Sequence, residues 1–147
     1  MIARVATIAD KPQLRKMSKT DPLIDPFNRP EYSNPSCYAR GTIRVIVDEL
    51  GTIAGFTCFN HKKREPVTVL YFLMVDPTFR RHGVGRLLML DLIKNSPSMI
   101  IRLNCCKTNV GAIAFYRSLG FDIIGESLNN NAFLMEKGIK PNVKSFL

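Results

Sequence analysis

The sequence predicts an α/β (α+β) chain built on a mixed, mostly antiparallel sheet of about seven strands with helices on both faces. Three observations predict it. "TIRVIVDE" and "TIAGFTCFNH" alternate in polarity across a short "LG" turn, as the two arms of a hairpin do. "VTVLYFLMV" (67–75) is nearly all apolar and rich in β-formers, the pattern of a central strand covered on both faces. Two spans, 84–95 and 109–119, repeat apolar residues at helical spacing.

The elements follow in order. "IARVAT" alternates as a first strand. Asp10 followed by Pro12 has the form of an N-cap with a proline in the first turn, so a short helix runs to about Lys19. From Thr20 to Arg40 the prolines at 22, 26, 30 and 35 oppose regular structure. A loop of that length inside a compact domain is commonly functional. After the hairpin and the central strand, Asp76–Pro77 closes the strand. Val84 to Asn95 places apolar residues at 84, 87, 88 and 92, and "NSP" stops the helix. "MIIRLNCC" is the next strand, and Asn109 to Leu119 a helix stopped by Gly120, with Phe115 and Leu119 turned to the core. "FDIIGE" and "AFLMEK", joined by "LNNN", form a last antiparallel pair.

A chain of 147 residues fits one domain, 1–147, with a real core. A composition of 46% hydrophobic and 22% charged residues excludes wholesale disorder. No apolar run reaches the roughly 18 residues that span a bilayer, and "MIARVATIAD" has no signal-peptide core, so no membrane partner is expected. Cys37, Cys58, Cys105 and Cys106 fit no zinc spacing, and the vicinal pair is a poor disulfide. No metal and a reducing cytoplasm are the expectations. The net charge of +9 points to an anionic partner: nucleic acid, an acidic protein or a phosphorylated cofactor. There is no arginine-rich tail and no basic stripe interleaved with aromatics.

"FRRHGVGR" (79–86) concentrates donors at the seam between strand and helix. The first N–H groups of a helix lack intrahelical acceptors and meet the positive end of its dipole, which makes an anion site. Gly83 and Gly85 let backbone approach a ligand, and Arg80, Arg81, His82 and Arg86 can add charge-assisted bonds to a diphosphate. The same stretch also reads as a solvated basic turn. It is neither a Walker loop nor the dinucleotide fingerprint. In "NVGAIAFYRSLGF" (109–121) Asn109 caps a helix, and small Ala112 leaves room for a close approach. Tyr116 is either a packing residue or a phenol able to protonate a leaving thiolate.

Together, "LYFLMVDPTFRRHGVGRLLM" and "NVGAIAFYRSLGF", about 24 residues after Gly85, resemble the GCN5-related N-acetyltransferase (GNAT) family. The first resembles its R/Q-x-x-G-x-G/A segment, the second its N-x-x-A-x-x-F-Y-x-x-x-G-F segment. The likeness covers about residues 43–137. It implies fourth and fifth strands that splay around the pantetheine arm of acetyl-CoA. Leu73, Met74 and Val75 would bond that arm through their backbone, with an amide near Val75 as oxyanion donor. Arg80, Arg81, His82, Gly83, Val84, Gly85 and Arg86 would hold the pyrophosphate. Asn109, Ala112 and Phe115 would contact the cofactor, and Tyr116 would protonate the departing thiolate after direct attack by an amine.

The resemblance implies an acceptor side in residues 20–40, with Phe27, Tyr32 and Tyr38 as its wall, and a C-terminal tail at 138–147. Two departures stand out. "VTVLYFLMV" holds no carboxylate where many members carry a basic glutamate, and Asp76 and Glu65 are the nearest acids. Ribosomal-protein members carry glutamate in E-V-R-x-x-N, where this chain reads "NCCKTN" with Asn104. The expected acceptor is a primary amine of a small molecule, peptide or protein. The alternatives are an acyltransferase acting on nucleic acid, whether aminoacyl-tRNA or a modified base, and a non-catalytic CoA-binding module. A homodimer is left open. Under the cofactor reading the arginines of 80–86 are committed to phosphate, so nucleic acid is not the favoured partner.

Overall fold

The computed structural model describes residues 1–20, 35–127 and 129–139. Its strands are β1 (Ile2–Val5), β2 (Ile43–Val47), β3 (Ile53–His61), β4 (Val67–Val75), β5 (Ile100–Cys106), β6 (Asp122–Ser127) and β7 (Ala132–Gly138). Its helices are α1 (Lys11–Ser18), α2 (Pro35–Ala39), α3 (Val84–Asn95) and α4 (Val110–Ser118). The strands follow the order β1-β2-β3-β4-β5-β7-β6. The β1–β2, β2–β3, β5–β7 and β6–β7 pairs are antiparallel, and β4–β5 is parallel. This is the seven-stranded mixed sheet that the sequence predicts. The chain divides into two compact units, Met1–Phe59 with Phe72–Lys94, and Asn60–Tyr71 with Asn95–Leu147.

In the first unit the period-two alternation of β2 sorts side chains to two faces. Ile43, Val45 and Val47 join Leu14 and Met17 of α1 and Cys37 and Tyr38 of α2. Ile46 and Ala54 meet Val84 and Leu88 of α3 on the other face. Helices therefore cover both faces here. Arg44 of β2 grips Asp91 of α3 with two bonds, Nε to Oδ2 at 2.6 Å and Nη2 to Oδ1 at 3.0 Å. A bulge interrupts the hairpin: Ile46 pairs with Gly55 and Val47 with Ile53, leaving Ala54 as the extra residue.

Several expectations for this unit need correction. Residues 20–40 are not all irregular, because Pro35 opens α2; its fixed φ and missing N–H suit a first helical turn. Residues 21–34 lie outside the described residues. On α3 the buried stripe is Val84, Leu88, Met89, Leu92 and Ile93, whereas Leu87 is 40% exposed. At 100° per residue, Leu87 falls roughly 140° from Leu92 at the middle of the stripe. Asp10 occupies the N-cap position of α1, but its carboxylate does not cap that helix. It accepts two bonds from Arg4, at 2.7 and 2.9 Å, and one from Thr7 N–H at 2.7 Å.

In the second unit β4 pairs with β5 from Val67↔Ile100 to Leu70↔Leu103, and among the described residues this ladder goes no further. Ile101, Leu103, Cys105 and Met135 point inward. Their neighbours Arg102 and Asn104 point to the opposite, open face. Arg102 is held there by Glu136 at 2.9 Å and by Glu65 at 3.3 Å. For the same reason β4 is not covered on both faces along its whole length: Tyr71 is 39% exposed. At the other end of the ladder a polar chain links Thr68 Oγ1 to Ser96 Oγ (2.7 Å), Ser96 Oγ to Ser98 N (3.2 Å), and Ser98 Oγ to His61 Nδ1 (2.6 Å). β7 ends at Gly138 and Ile139 is buried beyond it; residues 140–147 of the expected tail lie outside the described residues.

The pair Arg4–Asp10 carries a pH dependence. Hydrogen bonding to the Arg4 guanidinium holds the Asp10 carboxyl below the usual carboxylate range. A carboxyl with a depressed folded pKa contributes stability above its unfolded pKa of about 3.9, and loses it as pH falls through the folded value. Asp10→Asn is therefore expected to lower the melting temperature at neutral pH. The gap from the natural chain should close as pH falls through the lowered folded value, which circular-dichroism melting across pH would follow.

Candidate active site

The first candidate stretch lies wholly in the first unit. Asp76 ends β4 and fixes the turn that follows, since its Oδ1 accepts from Thr78 N (2.9 Å) and Thr78 Oγ1 (2.6 Å). A single 3₁₀ turn, Pro77–Phe79, leads into residues 80–83. Arg81 (φ 67°) and Gly83 (φ 74°) both take left-handed backbone. Glycine accepts this freely; arginine does so only at a cost, roughly 1–3 kcal/mol, of the kind stored at ligand sites. Nothing lies within 4 Å of where a Cβ on Gly83 would stand. The first helical bond of α3 runs from Leu87 N–H to Gly83 carbonyl at 3.0 Å. The amides of Val84, Gly85 and Arg86 are thus first-turn donors. Arg80, Arg81, His82 and Arg86 are exposed around them, while Val84 is buried as an anchor.

Gly55, which the sequence reading did not single out, sets the position of this assembly. A Cβ there would stand 2.7 Å from the Met74 carbonyl oxygen, 2.9 Å from Leu88 Cδ1 and 3.0 Å from Val84 Cγ1. The lack of a side chain lets β4 and the first turn of α3 close on β3. Next to it, Asp76 N–H donates to the bulged Ala54 carbonyl at 2.8 Å. The polar groups of Met74 and Asp76 therefore aim at β3. Those of Leu73 and Val75 alternate away from it. The signal was present in the sequence: an isolated glycine inside a strand pattern marks a bulge or a close backbone approach.

The second stretch lies wholly in the second unit. Asn109 caps α4, its Oδ1 accepting from Ala112 N–H at 3.1 Å. The helix ends in a Schellman motif: Phe121 N–H donates to the Tyr116 carbonyl at 3.1 Å and Gly120 N–H to the Arg117 carbonyl at 3.0 Å. Gly120 takes φ 92° to make it. The accompanying apolar contact is the Tyr116 ring edge-on to Phe121 at 5.7 Å, with Phe115 against it at 5.2 Å. Burial, and then the neighbouring Cys105, push the Tyr116 phenol well above its ordinary range, so it stays protonated at neutral pH. Phe115 and Leu119 are half-buried rather than core residues; Phe121, just past the helix, takes the buried place.

The remaining candidates separate clearly. Glu65 is bonded to Arg102 and Asp76 to Thr78, so both nearby acids are engaged. Asn104 is exposed on β5, and its Oδ1 accepts from Ser127 Oγ at 2.6 Å. Ser127 was not foreseen, because the contact joins residues 23 apart in sequence. Of the vicinal cysteines only Cys105 is buried; Cys106 is exposed, as strand alternation requires. Tyr38, expected on the acceptor wall, is instead a core residue of α2, and Phe27 and Tyr32 lie outside the described residues. Among the described residues no group of three His, Cys, Asp or Glu could hold a metal, and no helix is long and apolar enough to cross a membrane.

The sequence profile of the acetyltransferase (GNAT) family matches residues 11–121, and the chain belongs to that family. It is 32% identical over 138 residues to the 5-NmdU N-acetyltransferase of Pseudomonas phage PaMx11, covering 93% of this chain and 98% of the relative. Its fold is similar to that of a GNAT acetyltransferase from Bacillus cereus, with a TM-score of 0.78 at 20% identity over 95% of this chain and 97% of the other. It is also similar to the PaiA N-acetyltransferase of Thermoplasma acidophilum, a structure in complex with coenzyme A, with a TM-score of 0.73 at 18% identity over 93% and 98% of the two chains.

Gly55→Ala tests the close approach. The added methyl must displace backbone, not only flexible side chains, so it should cost about 1–3 kcal/mol in urea denaturation. Truncating Val84 or Leu88 to alanine in the same chain should not restore the loss, because the carbonyl contact persists.

Proposed function

We propose that the chain transfers acetyl from acetyl-CoA to a primary amine carried at the 5 position of a deoxyuridine, the kind of acceptor written 5-NmdU in the name of the phage relative. The observation that carries this reading is the match to that relative over nearly the full length of both chains. The net charge of +9 supports an anionic acceptor as well as an anionic cofactor.

The residues fit the cofactor. The left-handed backbone at Arg81 and Gly83, the open space over Gly83 and the exposed arginines suit a pyrophosphate. Acetyl-CoA would supply the thioester acyl group. Leu73 and Val75, whose polar groups turn away from β3, would hold the pantetheine arm and supply the oxyanion donor; the Met74 groups are turned to β3. Arg80, Arg81, His82, Gly83, Val84, Gly85 and Arg86 would bind the phosphates. Asn109, Ala112 and Phe115 would line the cofactor. The amine would add to the thioester carbonyl to make the C–N bond, and the C–S bond would then break to release the CoA thiolate. Tyr116 would give its proton to the departing sulfur, and the proton the amine loses would pass to water, since Asp76 and Glu65 are engaged.

An acceptor panel followed by CoA release tests the reading. The amine-bearing deoxyuridine nucleotide, free or in an oligonucleotide, should be acetylated faster than a lysine peptide or a peptide with a free N-terminus; the reverse order would overturn it. Tyr116→Phe should lower kcat by about 10²-fold or more while acetyl-CoA affinity stays unchanged. Loss of both together would make Tyr116 structural. Separately, reversing Arg81 and Arg86 to glutamate should abolish acetyl-CoA binding in calorimetry with the fold retained. Retained binding would remove residues 80–86 from the phosphate site.

A further inference from the structure

We infer that the open face around Tyr71 and Asn104 reads the ring of the acceptor and selects uracil over cytosine; this rests on the deoxyuridine acceptor proposed above. The β4–β5 ladder ends at Leu70↔Leu103, both buried. The next residues, Tyr71 and Asn104, therefore turn to the opposite face, and both are exposed there. The row continues across the sheet, because Asn104 pairs with Leu134 and Leu134 with Gly125. Nothing lies within 4 Å of where a Cβ on Gly125 would stand. A carboxamide, a half-buried leucine and an open space thus lie in one row, with an aromatic ring on the same face just past the end of the β4–β5 ladder, the character of a platform for a flat heterocycle.

The carboxamide has a defined sense. Ser127 Oγ donates to Asn104 Oδ1 at 2.6 Å, which anchors the oxygen and leaves the Nδ2 hydrogens as the presented group. Uracil offers a carbonyl acceptor at O4, which those hydrogens complete. Cytosine offers an amino donor at the same place, which they oppose. The cation on the same face does not compete, because Arg102 is committed to Glu136 and Glu65. Tyr71 would supply the stacking surface.

The test compares the 5-aminomethyl nucleotides of deoxyuridine and deoxycytidine as acceptors. The natural chain should favour the uracil nucleotide by about 10- to 100-fold in kcat/KM, the range of one well-made base contact. Asn104→Asp should reverse the preference, Ser127→Ala should shrink it, and acetyl-CoA affinity measured by calorimetry should not change in either. Tyr71→Ala should raise KM for both nucleotides about 10-fold or more, and Tyr71→Phe should restore it. Equal rates on the two nucleotides, or an Asn104→Asp ratio equal to the natural one, overturns this inference and leaves the acceptor reading standing. Acetylation of a peptide amine with neither nucleotide used overturns the acceptor reading itself.

Discussion

The missing side chain at residue 55 is the constraint on which the first unit turns. Three groups crowd the position where its Cβ would be: a backbone carbonyl of β4 and side chains of Val84 and Leu88 from α3. All three belong to the elements on either side of the donor-rich turn at residues 80–83. Strand and helix are held to one another through their common approach to β3. Two further devices keep them there. The bulged Ala54 accepts from Asp76 N–H at the strand end, and Arg44 grips Asp91 of α3, with side-chain exposures of 14% and 8%. A bidentate pair this buried fixes geometry more than it adds net stability, and removing one partner alone would strand a charge. The unusual backbone at Arg81 is tolerated because both sides of the turn are pinned in this way.

The second unit reaches its own rigidity by local means. In "NVGAIAFYRSLGF" almost every recognisable letter has a backbone duty. Asn109 satisfies a first-turn amide, Gly120 supplies the left-handed residue of the Schellman motif, and Phe121 makes the apolar contact that belongs to it. That contact is with Tyr116. The motif therefore packs the Tyr116 ring, and the desolvation of its hydroxyl raises its pKa. Packing the ring and keeping the proton are one physical event.

Where local chemistry decides, the sequence was readable. The bounds of α3 and α4, the Asn109 cap, the Gly120 stop and all seven strands follow from periodicity and capping residues. What was not readable depends on contacts distant in sequence. Asp10 looks like a cap, yet Arg4 outcompetes the helix amides for its carboxylate. Pro35 reads as a breaker, but a proline at a helix start is compatible with helix, and α2 carries Tyr38 into the core. Leu87 fits one helical spacing while the sheet selects another face. Ser127 is invisible beside Asn104 until β6 and β7 place it there. Gly55 is the intermediate case, since its position inside a strand was a signal of close approach.

The carboxylates explain how a basic chain can present so much uncompensated charge. Asp10, Asp91, Glu65, Glu136 and Glu126 each face an arginine or lysine within 3.3 Å. Asp48 and Asp76 are occupied in holding turns by their own backbone neighbours. Among the described residues these seven acids are thus engaged internally, five of them with four cations, Arg4, Arg44, Arg102 and Lys107. Internal pairing leaves the net charge of +9 as it is, because every pair keeps its own charges within the chain. Under the proposed function a cofactor diphosphate would draw on the few cations at 80–86. The remaining excess is what a second anionic ligand would meet, and a nucleotide acceptor brings its own phosphate.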